Sequence, residues 1–135
     1  MNRRSSILTI VLVLVAATGL NAENWPGWRG PRGDGTSEST SLPMSWDGSS
    51  GENIKWKVAI PGTGHSSPVV YGDRIFIASW LPKTEERVLI SMDRNTGKIL
   101  WQKTVLKARL EKKHSLNSFA SGTPATDGET VIISF

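Results

Sequence analysis

The clearest pattern of apolar and polar positions lies between residues 67 and 101. Apolar residues alternate with other residues along 69–77, 88–92 and 99–101, and a Gly-Asp pair at 72–73 and an Asp-Arg-Asn-Thr-Gly run at 93–97 interrupt the alternation. Alternation of period two is typical of β-strands, and Gly and Asp at the breaks are typical of tight turns. The pattern predicts an all-β fold with four short antiparallel strands in one sheet.

The residues in the two turns predict the backbone conformation of each turn. Gly72 is expected at positive φ, where a Cβ would be strained. We expect the Asp93 carboxylate to accept hydrogen bonds from the amides of Asn95 and Thr96, with Gly97 left-handed so that the chain can reverse. These turns join strands that are neighbours in the sequence, so the predicted sheet is a meander.

Parts of the pattern occur again on both sides. Residues 68–77 align without a gap with 124–133, and 54–58 align with 99–103; the two prolines are 56 residues apart and the two tryptophans, Trp56 and Trp101, 45 apart. These offsets are near the repeat length of β-propeller blades, whose unit is a four-stranded meander. We therefore predict a β-propeller of four-stranded antiparallel blades.

The predicted blade has two apolar faces. Ile75 and Ile77 point to one face, and Phe76 and Ala78 to the other, so neighbouring blades are needed to cover both. Trp101 is expected on one face with Ile99 and Val105, wedged between sheets. Only one complete blade (66–105), the last strand of another (53–60) and the start of a third (from 117) can be counted. The chain is therefore expected to be a fragment that needs the remaining blades of a longer protein.

These motifs resemble a known repeat. Asp93-x-x-Thr-Gly-x-x-x-Trp101, preceded by Ser-Pro-Val-Val-x-Gly-Asp-x-Ile-Phe-Ile from Ser67, is similar to the repeat of PQQ-like (pyrroloquinoline-quinone-type) propellers. Trp25-Pro-Gly-Trp-Arg-Gly-Pro31 is similar to the mature N-terminus of many exported bacterial members. That superfamily includes quinoprotein alcohol dehydrogenases and an outer-membrane assembly lipoprotein, so the resemblance implies the fold and leaves the activity open. The repeat motif comprises Trp56, Pro68, Gly72, Asp93, Thr96, Gly97, Trp101, Pro124 and Gly128.

Residues 1–22 are organised as a signal peptide. Arg3 and Arg4 precede the apolar stretch 7–15, and Leu-Asn-Ala at 20–22 suits cleavage. The alternative is a membrane anchor, but the apolar stretch is shorter than the roughly 20 residues of a spanning helix. We therefore expect a protein exported to the periplasm or the extracellular space, with no stable membrane anchor after cleavage.

The amino-acid composition excludes several kinds of site and partner. The chain has no cysteine, which excludes disulfides, thiolate catalysis and lipid attachment through an N-terminal cysteine. Its net charge of +4 includes two signal-peptide arginines, so the mature part carries about +2 and nucleic-acid binding is not expected. Residues 23–52 are rich in Trp, Gly and Pro and predict an irregular N-terminal arm before the partial propeller at 53–135. The arm's tryptophans either pin it to the propeller or stack on a sugar or cofactor ring.

Four polar residues form the candidate ligand site. His65 lies in the loop 61–67, which leads from an outer to an inner strand, and such loops surround the central channel of a propeller. Glu111, His114 and Asn117 lie in an insertion, at three-residue spacing that would place them on one side of a helical turn. Adjacent blades could bring all four to the channel mouth, as a site for a divalent metal or a polar ligand. The alternative is a solvated loop bonded to its own backbone, with His65 structural.

The sequence carries no nucleophile elbow, zinc-protease helix motif or dinucleotide fingerprint. We therefore favour an exported, non-catalytic module that binds a protein or polymer, with no assigned catalytic residue, metal or cofactor. The alternative implied by the resemblance is a periplasmic quinoprotein dehydrogenase for alcohols or sugars, which would use PQQ and Ca²⁺ held by residues from many blades. A sensor or accessory domain is a third possibility.

Overall fold

The structure, a computed structural model, describes residues 22–135. The predicted signal peptide lies outside these residues, apart from Ala22. Within residues 22–135 no helix has the length and hydropathy needed to cross a bilayer. The strands are β1 (Val69–Tyr71), β2 (Arg74–Leu81), β3 (Glu86–Asp93), β4 (Ile99–Lys107), β5 (Ala125–Thr126) and β6 (Val131–Ile132).

The first four strands form one antiparallel sheet in the order β1-β2-β3-β4, and β5 pairs with β6 in a separate hairpin. In the meander, Val70 is opposite Ile75 and Ile77 is opposite Ile90. Each strand pairs with its neighbour in sequence because the turns between them are short. The predicted four-stranded antiparallel sheet is confirmed.

Both predicted turns have the expected conformation. Gly72 has φ 54° and Gly97 has φ 72°. The Oδ1 atom of Asp93 accepts hydrogen bonds from the amides of Asn95 at 3.0 Å and Thr96 at 2.8 Å, and from the Thr96 hydroxyl at 2.8 Å. The pKa of Asp93 is lowered below its ordinary value, chiefly because the Thr96 hydroxyl donates a hydrogen bond to the carboxylate. The sequence of this turn therefore specifies its own geometry.

The four-stranded sheet is apolar on both faces, as predicted. We name each face after the residue that covers it. The core of the Trp56 face comprises Ile75, Val88, Ile90 and Met92. The core of the Val131 face comprises Val69, Phe76 and Leu89.

Residues 54–60 cover the Trp56 face. Trp56, Val58 and Ile60 pack on its core, whereas Lys55 and Lys57 are exposed, so burial alternates as predicted. The predicted outer strand is nevertheless not formed, because this segment pairs with no other strand within residues 22–135. It packs instead on the face of the sheet through its apolar side chains.

The β5–β6 hairpin covers the other face. Val131 packs against the core of Val69, Phe76 and Leu89. Gly128, at φ 101°, allows the hairpin to turn beneath the ring of Tyr71, with which a Cβ at that position would clash. The sheet therefore has a neighbouring segment on each face.

The prediction that Trp101 shares a face of the sheet with Ile99 was wrong. In the β3–β4 pairing Ser91 is opposite Trp101 but Met92 is opposite Ile99, so one extra residue bulges between them. A bulge of one residue reverses the alternation that follows it. Ile99 consequently packs on the Trp56 face, while the Trp101 ring lies 6.0 Å from that of Phe76 on the Val131 face.

The N-terminal arm is tied to the blade by its first residues. The Trp25 amide and carbonyl bond the Val70 backbone at 2.7 and 2.8 Å, and the Asn24 side chain accepts from the Gly72 amide at 2.8 Å. The Pro26 carbonyl accepts from Thr126 at 2.9 Å, so the arm lies between β1 and β5. Trp28 and Trp46 are 66% and 69% exposed.

Candidate ligand-binding loops

Two loops meet at one end of the blade. We call residues 61–67 the crossing loop and residues 108–121 the insertion loop. The amides of His65 and Ser66 both donate to the Ala120 carbonyl, at 2.9 and 3.1 Å, and the His65 amide also reaches the Ser118 hydroxyl at 3.2 Å. A Cβ on Gly64 would be 3.0 Å from the same carbonyl, so glycine permits this approach. The loops are therefore bonded to each other through their backbones.

The insertion loop contains no helical turn. Residues 108–114 are irregular, so the expectation that Glu111, His114 and Asn117 share one side of a helix was wrong. Three-residue spacing places side chains together only on a helix, and here hydrogen bonds within the loop replace it. The Leu116 amide donates to His114 Nδ1 at 3.2 Å, and the Asn117 amide donates to the His114 carbonyl at 3.0 Å.

Glu111 has a partner that the sequence analysis missed. Both of its carboxylate oxygens accept from one terminal nitrogen of Arg87, at 2.8 and 2.7 Å. Arg87 is only 2% exposed. Its donated hydrogen bond lowers the pKa of Glu111 below the ordinary value. Glu111 is therefore held as an ionised partner of a buried cation.

Two aromatic residues, Trp80 and Phe119, lie beside Arg87. The Phe119 ring lies 4.8 Å from the Trp80 ring and 5.5 Å from the Arg87 guanidinium. Trp80 and Arg87 are opposite each other on β2 and β3. Their Nε1 and Nε atoms are buried without an acceptor among the described residues. The alternation of β3 could have indicated Arg87, because it places this residue on a face that also holds Leu89.

The four predicted site residues thus have separate surroundings. Glu111 bonds Arg87, His114 bonds its own loop, and His65 contributes backbone bonds to the insertion loop. Asn117 is exposed. Within residues 22–135 no three His, Asp or Glu side chains are close enough to hold a metal ion. A shared ligand site for the four remains a prediction.

A cavity lies at the opposite end of the blade, beside the arm. It has a volume of about 460 Å³ and is lined by polar residues including Asn24, Lys55, Asp73, Arg94 and Asn95. The Lys55 ammonium donates to Asn95 Oδ1 at 3.1 Å, and Asn95 Nδ2 donates to Asp73 Oδ1 at 3.1 Å. These bonds connect the two turns at this end of the blade.

A family model described as outer membrane protein assembly factor BamB matches residues 38–135, which include all six strands and both loops. The chain belongs to the PQQ-like repeat family. No curated protein and no solved structure matches it. The two sheets of this PQQ-like repeat protein are accordingly one blade and the first hairpin of the next.

Proposed function

We propose that this protein is an exported, non-catalytic PQQ-like propeller module whose crossing and insertion loops bind a protein or polymer ligand. The observation that carries the proposal is the mutual fixing of the two loops. The crossing loop donates two backbone bonds to Ala120, and buried Arg87 holds the insertion loop through Glu111. A rigid sheet that presents fixed, exposed loops is suited to binding a large partner.

The titratable residues of the insertion loop support a binding role. Glu111 is ionised in an ion pair, and His114 Nδ1 accepts a backbone hydrogen bond. A general base needs a side chain within hydrogen-bond reach of a substrate proton. Both groups are engaged in holding the loop, so their chemistry is used for structure.

The quinoprotein alternative requires a site for PQQ and Ca²⁺. Ca²⁺ takes six to eight oxygen ligands, several of them carboxylates. The acidic side chains of residues 22–135 are not grouped in this way. Trp56, Trp80 and Trp101 are packed against Gly97, Phe119 and Phe76 respectively. The described residues by themselves thus form no such group, and under this alternative the cofactor would be held by residues from many blades.

The test uses the purified exported protein, with mass spectrometry to check that it begins after residue 22. Binding to cell-envelope proteins and to polysaccharides is compared with that of a variant in which a Gly-Ser linker of equal length replaces residues 108–114. A matched control replaces residues 40–46 of the arm, which are all exposed, by a Gly-Ser linker of the same length. Loss of binding in the first variant alone supports the proposal. Dye reduction by an alcohol or sugar, dependent on added PQQ and Ca²⁺, would overturn it in favour of the dehydrogenase.

A further inference from the structure

The insertion loop continues a short run of exposed cations from the end of β4. We call these residues the basic row. It comprises Lys107, Arg109, Lys112 and Lys113. All four are exposed. Lys107 also lies 4.0 Å from Glu86, a distance at which the ion pair is weak. Four positive charges therefore occur within seven residues at the loop end of the blade.

The one acid within the row, Glu111, is 59% exposed and is paired with Arg87, whose side chain is only 3% exposed. Glu111 sits between Leu110 and Lys112, yet its carboxylate is bonded to buried Arg87 at 2.7 Å. The charges of this pair cancel, so Glu111 no longer offsets the neighbouring cations. Residues 107–113 together with Arg87 therefore keep an excess of positive charge.

The same ion pair fixes the position of the row. An ion pair with one buried partner commonly adds little stability, because the buried charge, here that of Arg87, loses its hydration. Its effect here is positional, since it attaches the middle of an irregular segment to β3. Phe119 attaches the far end through Trp80, and the Lys113 ammonium lies 5.2 Å from the Phe119 ring.

We propose that the basic row binds a linear acidic polysaccharide, through carboxylate or sulfate groups along the sugar chain. The proposal rests on the polymer-binding function proposed above. Residues 107–113 are not helical and extend over at most about 20 Å, which suits successive charged sugars. A line of cations matches a linear chain better than the plane of a lipid surface. The small excess of positive charge over the mature part gives little of the general attraction on which nucleic-acid binding depends.

The test measures binding of fluorescently labelled polygalacturonate and dextran sulfate, with neutral dextran as the uncharged polymer. One variant combines Lys107→Gln, Arg109→Gln and Lys112→Gln. Its matched control removes the same charge elsewhere, with Lys57→Gln, Lys83→Gln and Lys98→Gln; all three are exposed. Circular dichroism and melting curves establish that both variants keep the fold.

We expect the acidic polymers to bind and the neutral dextran not to bind. Affinity should fall as ionic strength rises from about 0.05 to 0.3 M, because exposed charges are screened. The row variant should bind roughly tenfold more weakly, the combined size expected of three exposed ion pairs, and the control less than twofold more weakly.

Three results would overturn the proposal. These are equal losses in the two variants, equal binding of neutral dextran, and tighter binding to anionic lipid vesicles or duplex DNA than to either acidic polymer. Binding of a neutral polymer or an envelope protein would leave the proposed function intact while refuting the acidic ligand. Binding of none of these partners would refute both.

Discussion

Within residues 54–60, Trp56 makes the most specific contacts with the blade. Its ring lies so close to Gly97 that a Cβ there would be 2.6 Å away. Its indole nitrogen donates to the Arg94 carbonyl at 2.9 Å. The side chain is half-buried on the core that contains Ile90. Packing and hydrogen bonding therefore act together at this residue.

Two substitutions separate these contributions. Truncating a fully buried Trp to Ala costs about 3–5 kcal/mol, and because Trp56 is only half-buried we expect Trp56→Ala to cost about 3 kcal/mol. Trp56→Phe keeps most of the ring but leaves the Arg94 carbonyl without its donor. Losing one such hydrogen bond costs about 1 kcal/mol, so the Phe variant should be intermediate.

Urea unfolding followed by fluorescence and circular dichroism measures both free energies of unfolding. Trp46→Ala is the matched control, since Trp46 is 69% exposed and the same truncation should change stability by at most about 0.5 kcal/mol. Should Trp56→Ala not fold at all, the comparison of Trp56→Phe with wild type carries the test. A Trp56→Ala variant as stable as Trp46→Ala would refute the packing of residues 54–60 on the sheet.

Three further predictions concern the turn and the insertion loop. Gly97→Ala should destabilise the protein in urea unfolding by about 2 kcal/mol or more, because φ is 72° and the new methyl meets Trp56; an unchanged midpoint would contradict this. The pKa of Asp93 is lowered from 3.8 in the folded protein. The ionised carboxylate therefore stabilises the folded state above about pH 3.8, and this contribution is lost as the pH falls through the lowered pKa. Asp93→Asn should therefore lose less stability than wild type in urea titrations between about pH 5 and 2, and equal losses would contradict the turn geometry. Glu111→Gln should speed tryptic cleavage after Arg109 and Lys112 several-fold, as read by mass spectrometry, because the charge-assisted bond to Arg87 is weakened; an unchanged rate would exclude anchoring by this pair.

The local features of the fold could be predicted from the sequence because each is determined by a few adjacent residues. The Asp93 turn is closed by bonds to Asn95 and Thr96, two and three positions later. The alternation of apolar residues in β2 and β3 likewise follows from the pleat of a strand. It indicated correctly that both faces of the sheet need a neighbour.

Features that depend on distant residues were missed or wrong. The face of Trp101 is set by a bulge in the pairing with β3, which the sequence of β4 does not reveal. Arg87 is buried because Glu111, 24 positions later, supplies its counter-charge. Spacing alone suggested a helical turn around Glu111, but that contact and the bonds at His114 give an irregular loop. Loop position therefore brought the two loops together correctly, whereas the side-chain contacts of Glu111 and His114 were misjudged.

The central claim is that segments from neighbouring repeats cover both faces of the β1–β4 sheet. A nuclear Overhauser spectrum of the labelled protein tests it directly. The structure predicts cross-peaks between the Trp56 ring and the Gly97 α-protons on one face, and between the Val131 methyls and Val69 or Leu89 on the other. An intact β1–β4 sheet that lacks either set of cross-peaks would contradict the account.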